Sequence, residues 1–443
     1  MRIALVAHHG SPLTQATGQE SFPQAAGVAA HAQVLAKLGH RVTIYARRDS
    51  RGLPGSAILS PRVTVEHVAA GPPAPLAPGE LAEHVAPFGD YLAQRWHRNQ
   101  PDLVHAYFWT SGLAALAALR GLDIPLVQTF GTLGVAQQRH GSPVPIPDGR
   151  IRLETCIARS ARAILAGTSA EAAELARMGV PRAAVTVVPY GVDTDEFTPE
   201  GPVAKRNGRP RLLAVAPWGG AAGSEPAERG AAGSEPAERG AAGSEPAERG
   251  AAGSGPALPK GQGLDILIRV LARVPGAELV IAGGPARAKL SKDEAYRYLT
   301  GEAERFGVAD RVTFTGKVAA GSLPALLRSA DLLVSAVPDD PSGAVAIASM
   351  ACGTPVAAGA VGGLSDAVLD GTTGVLVPPD RPDVLARRVR MLLASPLRLE
   401  AFGIAAADRA TARYSWDRIS RETLAVYERC LQPAATALAH ATS

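Results

Sequence analysis

The sequence predicts an α/β protein built from two doubly wound parallel sheets that face each other across a cleft. Three observations carry that expectation. Short apolar, β-branched runs alternate with helical segments along most of the 443 residues. The strand runs are continuously apolar, the pattern of parallel strands covered by helices on both faces. The alternation also falls into two series, parted by "EFTPEGPVAKRNGRP" (196–210), a stretch rich in Pro, Gly and charge.

The first series reads as strands at "RIALVA" (2–7), "RVTIYA" (41–46), "DLVHA" (102–106), "PLVQTF" (125–130), "RAILAG" (162–167) and "VTVVP" (185–189). Between them, "AAHAQVLAKLG" (29–39) and "SAEAAELARMG" (169–179) carry apolar residues at helical spacing and end in Gly, a C-cap signal. The longest apolar run, 103–119, contains His105 and is followed by Arg120 and Asp123. It is shorter than a membrane span requires and reads as a buried strand plus a helix. The second series reads as strands at "RLLAVA" (211–216), "AELVIAGG" (277–284), "RVTFTG" (311–316), "DLLVSAV" (331–337), "TPVAAG" (354–359) and "GVLVP" (374–378). Residues 1–200 and 201–413 are therefore expected as two domains, with 414–443 as a final helix and tail. Ligands of such sheets bind outside the carboxyl ends of the strands.

Composition narrows the function classes. A hydrophobic content of 46% with 19% charged residues is that of a globular chain. The net charge of +4 is small, and Lys and Arg are scattered. Neither nucleic acid nor a polybasic membrane contact is expected from that pattern. Cys156, Cys352 and Cys430 stand isolated without CxxC spacing, which argues against a disulfide framework or a zinc site and suits a reducing cytosol. The opening "MRIALVAHHG" reads as a strand and not as a signal peptide. The expected protein is cytoplasmic, without a transmembrane segment.

A low-complexity insert interrupts the second series. "AAGSEPAERG" occurs at 221–230, 231–240 and 241–250, and a fourth copy starts at Ala251. Such a composition buries too little apolar surface to offset ordering entropy, so 219–257 is expected as a flexible insert at a tolerant surface position.

The segment from Asp339 to Gly363 is the most informative for function. After the strand come Asp340, Pro341, Ser342 and Gly343, then a helix towards Met350, closed by Gly353. A helix opening on Gly is expected to present free N–H groups to a phosphate or to sugar hydroxyls. Any strand–loop–helix–strand unit shares this outline, so both readings stand on physics alone.

Motifs through nearly the whole chain carry a family resemblance. They include "HHGSPL" (8–13), "AAGVAAHAQVLAKLGHRVTIYARR" (25–48), "PDLVHAYFWTSGLAAL" (101–116) and "VVPYGVDTDEFTPEG" (187–201). The second half adds "LVIAGGP" (279–285), "ADRVTFTGKV" (309–318), "ASMACGTPVAAGAVGG" (348–363), "GTTGVLVPP" (371–379) and "YSWDRISRETLAVYERCL" (414–431). The chain resembles retaining glycosyltransferases of the GT-B fold, family 4 type, in the branch of sucrose-phosphate synthase and the inositol-phosphate glycosyltransferase of mycothiol synthesis. That fold has two Rossmann-like domains, and its final helix crosses back to the first.

The resemblance implies transfer of a sugar from a nucleotide-sugar donor, held by the second domain, to a small-molecule or glycan acceptor in the first. It implies no metal and no other cofactor. Donor-side positions carried over are Gly27, Lys260, Gly284, Lys317, Val318, Asp340, Ser342, Gly343 and Ala344, with Asp340 and Lys260 as the catalytic pair. His9 and His105 are the acceptor-side candidates, and His8 neighbours them; a hydrogen-bonded structural role is the alternative for each. Lys317 has a surface position as its alternative.

Four positions depart from the family pattern. Ala26-Gly27 replaces two adjacent glycines, Pro217 stands for the phosphate-binding Arg, Gly131 for the His that touches the donor sugar, and Ala348 for the second of two paired acids. Losing the charge-assisted bond at Ala348 costs about 1.5–3 kcal/mol, mostly in donor affinity. Losing a charge stabiliser at Pro217 costs about 10²–10³ in rate. Arg249 in the insert is a substitute, though a flexible repeat holds it poorly. The residues leave two readings open: an active transferase with an altered site, or a GT-B shell that binds without turning over.

Overall fold

The computed structural model describes residues 1–13, 22–76, 79–139, 146–215 and 263–432. The repeat insert lies outside these residues, and so do Pro217, Arg249 and Lys260.

The first sheet has eight strands: β1 (Arg2–Ala7), β2 (Arg41–Arg47), β3 (Ser56–Ser60), β4 (Val63–Val68), β5 (Leu103–Tyr107), β6 (Leu126–Thr129), β7 (Ala163–Ala166) and β8 (Val185–Val187). Their order is β3-β4-β2-β1-β5-β6-β7-β8. All pairs are parallel except β3 with β4. The sequence reading leaves β3 and β4 unmarked. β3 is the edge strand and its Ile58 is exposed, while β4, beside it, is interrupted by the polar residues Glu66 and His67.

The second sheet is wholly parallel: β9 (Arg211–Val215), β10 (Glu278–Ala282), β11 (Val312–Gly316), β12 (Leu332–Ser335), β13 (Val356–Gly359) and β14 (Gly374–Val377). Its order is β11-β10-β9-β12-β13-β14. The progression of strands through the sheet changes sides between β1 and β5 in the first sheet and between β9 and β12 in the second, although each pair is parallel. These are the switch points at whose carboxyl ends ligands bind in doubly wound sheets.

Successive strand residues feed opposite cores, as a period of two demands. Ile3 and Leu5 pack with Val28, Ala32 and Leu35 of the helix Phe22–Lys37, whereas Ala4 and Val6 pack with Phe88, Leu92 and Trp96 of the helix Val85–Arg98. In the second sheet Leu212 and Ala214 face one core and Leu213 the other.

The chain's last described helix, Trp416–Leu431, returns to the first sheet, placing Ile419, Val426 and Tyr427 in the core beside the helix Phe22–Lys37. The Tyr427 hydroxyl lies 2.6 Å from Nδ1 of His105 on β5 and 3.4 Å from Nε2 of His31, whose Nδ1 meets Ser420 Oγ at 2.9 Å. The two halves also touch directly. The N–H of Ser169 donates to Asp366 Oδ2 at 2.6 Å, and that of Val192 donates to the carbonyl of Tyr414 at 2.7 Å.

Candidate active site

At the carboxyl ends of β5 to β8 lies a recess bounded by Gly27, Tyr107, Phe108, Phe130, Gly131, Gly167, Tyr190 and Trp416. It brings together Gly27 and Gly131, two positions that the sequence marks on separate elements. A Cβ at Gly27 would stand 3.2 Å from the Trp416 ring, so the single remaining glycine lets the returning helix press against this loop. Gly131 has φ +75°, a backbone state that a side chain makes costly.

Two buried acids that the sequence reading passes over shape this recess. Glu171 Oε2 accepts the Gly167 N–H at 2.7 Å, while Thr168 Oγ1 accepts the Glu171 N–H at 3.1 Å. Burial pushes the Glu171 carboxyl up to about 7, against the pull of the Gly167 and Gly131 N–H groups. The signal for it in the sequence is the Thr-x-x-Glu spacing of a capping box at 168–171. Glu154 takes Arg150 Nε at 2.7 Å and the Gly134 N–H at 2.9 Å. Arg150 also donates to Gln137 Oε1 and to the Thr132 carbonyl, and its guanidinium lies 5.2 Å over the Phe108 ring. Together this pair pins the segment that follows Gly131. Burial raises the Glu154 carboxyl despite Arg150 beside it.

The three histidines separate. His105 is a buried, satisfied residue: besides Tyr427, its Nε2 lies 2.9 Å from Thr129 Oγ1. Its ring edges the recess, and both of its nitrogens lie in hydrogen-bond reach of side chains of this protein. His8 and His9 follow β1 at the first sheet's switch point. The ring nitrogens of both are buried; those of His9 find no partner among the described residues, while the His8 ring lies against the main chain of His84. Burial lowers the His8 imidazole to about 3, helped by nearby Arg47, and lowers that of His9 to about 4.

On the second sheet, Gly284, Lys317, Asp340 and Gly362 follow β10, β11, β12 and β13, which places them along one carboxyl edge. Lys317 is exposed, and its N–H donates to the Pro285 carbonyl at 3.0 Å beside Gly284. Val318 is partly buried against the core.

The loop at Asp340 corrects a sequence expectation. Asp340 Oδ1 accepts the N–H groups of Gly343 at 2.7 Å and Ser342 at 3.1 Å, and Ser342 Oγ accepts that of Ala344 at 3.2 Å. The N–H groups of Ser342, Gly343 and Ala344, three of those expected to face a ligand, are thus taken by the loop's own side chains, because short Asp and Ser side chains reach back to main chain two or three residues on. Burial raises the Asp340 carboxyl, opposed by those same N–H groups. Gly343 has φ +65°, and a Cβ there would strike the Gly363 carbonyl at 2.7 Å. Gly362 and Gly363 likewise run backbone to backbone against Asp340 and Ser342. The glycines therefore join two loops as well as opening a helix. Ala348 is buried, 7% exposed, within an apolar cluster. Among the described residues there is no group of acidic, His or Cys side chains able to hold a metal, and no helix long and apolar enough to cross a membrane.

With this geometry in place, comparison with known proteins is informative. Residues 24–196 match the family described as Glycosyltransferase Family 4, and residues 251–409 match Glycosyl transferases group 1. The chain is 32% identical over 454 residues to a D-inositol 3-phosphate glycosyltransferase of Nocardiopsis dassonvillei, covering 99% of this chain and 96% of that one. It is 32% identical over 449 residues to the protein of the same name from Streptomyces coelicolor, covering 97% and 92%. Among solved structures it is similar to sucrose-phosphate synthase from Thermosynechococcus elongatus, with TM-score 0.78, 24% identity and coverage of 97% and 98%. It is also similar to Anabaena HepE in complex with UDP and glucose, with TM-score 0.68, 18% identity and coverage of 97% and 100%. The structural similarities concern the fold.

Proposed function

The chain belongs to the family 4 and group 1 glycosyltransferases, on the GT-B fold, and from that premise we propose that it transfers a glycosyl group from a nucleotide-sugar to an acceptor with retention of the anomeric configuration. The donor diphosphate lies between the carboxyl edge of the second sheet and the Gly27 loop, and the acceptor lies on the first sheet. The observation that carries this reading is the convergence of Gly27 and Gly131 on one recess at the strand ends of the first sheet.

The chemistry needs no protein nucleophile. The bond from the anomeric carbon to the diphosphate oxygen breaks, the acceptor oxygen bonds to that carbon from the same face, and the acceptor proton passes to the departing phosphate. The protein's part is to position both partners and stabilise the charge that builds on the diphosphate. Lys260, outside the described residues, is the cation proposed for that role. Asp340 supports the donor by shaping its loop. With Ala348 in place of an acid, the ribose is held less tightly, and affinity for the donor is correspondingly lower. Glu171 and the Arg150–Glu154 pair set the backbone around Gly131 from behind.

The test is release of nucleoside diphosphate from a panel of UDP-, GDP-, ADP- and dTDP-sugars. D-inositol 3-phosphate, the acceptor in the names of the relatives, serves as the reference acceptor. Proton NMR of the product reads the anomeric configuration. Silence across the whole donor panel, without a thermal shift on adding any donor, defeats the reading. An inverted product defeats the retention alone.

A further inference from the structure

We infer that Asp366 is a positioning residue for the transfer, fastening the Asp340 loop of the second domain to the recess of the first; this rests on the transferase reading above. Its carboxylate reaches out of its own domain. Oδ2 accepts the N–H of Ser169 at 2.6 Å, between residues 197 apart in sequence. Ser169 opens the helix Ser169–Arg177, and the first N–H groups of a helix have no partner within it. The helix's own cap, Thr168, takes the Glu171 N–H. The second domain thus supplies an anion to a donor that this cap leaves open, at the positive end of the helix dipole.

Both sides of the bond are tied to the site. On the first domain, Ser169 stands two residues after Gly167, which lines the recess and whose N–H is held by Glu171. On the second, Asp366 belongs to the six-residue helix Gly362–Ala367, whose Gly363 N–H donates to the Asp340 carbonyl at 2.6 Å. The other end of that helix is fixed as well. Arg409 donates Nη2 to the Asp366 carbonyl at 2.8 Å and Nε to that of Ala367 at 2.9 Å. The Tyr414 hydroxyl donates to the Asp366 carbonyl at 2.9 Å. The helix is therefore a short strut, with the Asp340 loop at one end and the cross-domain carboxylate at the other.

The reaction makes this joint matter. Donor and acceptor sit on different domains, and their reacting atoms must be held about 3–3.5 Å apart. A misplacement of about 1 Å costs about 10² in rate. Asp366 acts through the two backbones that it joins. The neighbouring contact of Val192 with the Tyr414 carbonyl keeps the domains together without it, so its loss should loosen the alignment and leave the fold intact.

Two variants cut the same bond from opposite domains. Asp366→Ala removes the acceptor. Ser169→Pro removes the donor, and proline is tolerated there: the position is the first of the helix, and Thr168 before it is already extended, at φ −144° and ψ 159°. The assay uses the full-length chain with a nucleotide-sugar and acceptor that it turns over. Each variant is expected to lower kcat about tenfold, with the donor KM changed less than about threefold and the urea midpoint unmoved. The double variant should be no slower than either single one, because both remove one interaction. Asp366→Asn, which keeps an oxygen, should recover part of the lost kcat. Effects that multiply in the double variant, single variants at the unsubstituted kcat, or a loss of kcat that follows a lowered urea midpoint in both overturn the inference. If the unsubstituted chain turns over no donor, the transferase reading is what fails, and amide hydrogen exchange decides the joint. Faster exchange at 362–367 in Ser169→Pro, a change made in the other domain, upholds it, and unchanged exchange there overturns it.

Discussion

Asp340 Oδ1 accepts the Gly343 N–H at 2.7 Å, so this carboxylate caps its own loop. The loop is in turn locked to 361–363 by glycines that tolerate backbone contact.

Substitution at Asp340 should therefore act first on stability. Asp340→Ala removes the acceptor for two N–H groups and is expected to cost about 1–3 kcal/mol in urea unfolding. Asp340→Asn keeps an oxygen there and should cost under about 1 kcal/mol while retaining donor binding. A large loss of turnover in Asp340→Asn with unchanged stability would instead place the carboxylate on the donor.

Restoring the missing acid should trade stability for affinity. Ala348 sits in an apolar cluster, so Ala348→Glu is expected to destabilise the ligand-free protein by a few kcal/mol, on the order of a buried unpaired polar group. Donor binding should tighten by about tenfold or more if the new carboxylate reaches the ribose. Combining it with Gly131→His adds about 1–2 kcal/mol of backbone strain at φ +75°. Calorimetric titration of donor into each variant, beside its melting curve, reads both effects.

Acid should destabilise the first domain. Burial holds His8 and His31 at about 3 and His9 at about 4, and drives His105 well below the ordinary 6.5. The unfolded chain therefore binds protons first, so stability is complete above about pH 6.5 and falls as the pH drops towards 4. Each fully buried neutral imidazole is expected to contribute about 1–2 kcal/mol of loss by pH 5. Urea midpoints at pH 7, 6 and 5 check the slope, which should shrink in His9→Gln.

Glu171 acts with the opposite sign. Its carboxyl is raised from 4.5 to about 7, so the folded state holds its proton longer than the unfolded one. Stability from this residue falls between about pH 4.5 and 7 and stays low above. Glu171→Gln keeps an acceptor for the Gly167 N–H and should stabilise the protein at pH 8 by about 2 kcal/mol, with no gain at pH 4.5. Equal effects at both pH values would mean that the carboxylate is held ionised throughout.

The sequence by itself determined the two parallel sheets, since burial on both faces forces continuous apolar runs such as 2–7 and 211–215, and alternating helices leave few other arrangements. It also determined where the site-bearing loops attach, because ligand loops follow strand ends. β3 and β4 escaped it: the edge strand β3 lacks that two-sided burial, and in β4 the buried polar residues Glu66 and His67 break the apolar run. Only the tertiary structure decided what the loop groups do. That His105 is satisfied depends on Tyr427, 322 residues away in sequence. Periodicity reports which face a residue lies on. Whether a polar atom is already spent depends on partners that folding alone brings within 3 Å.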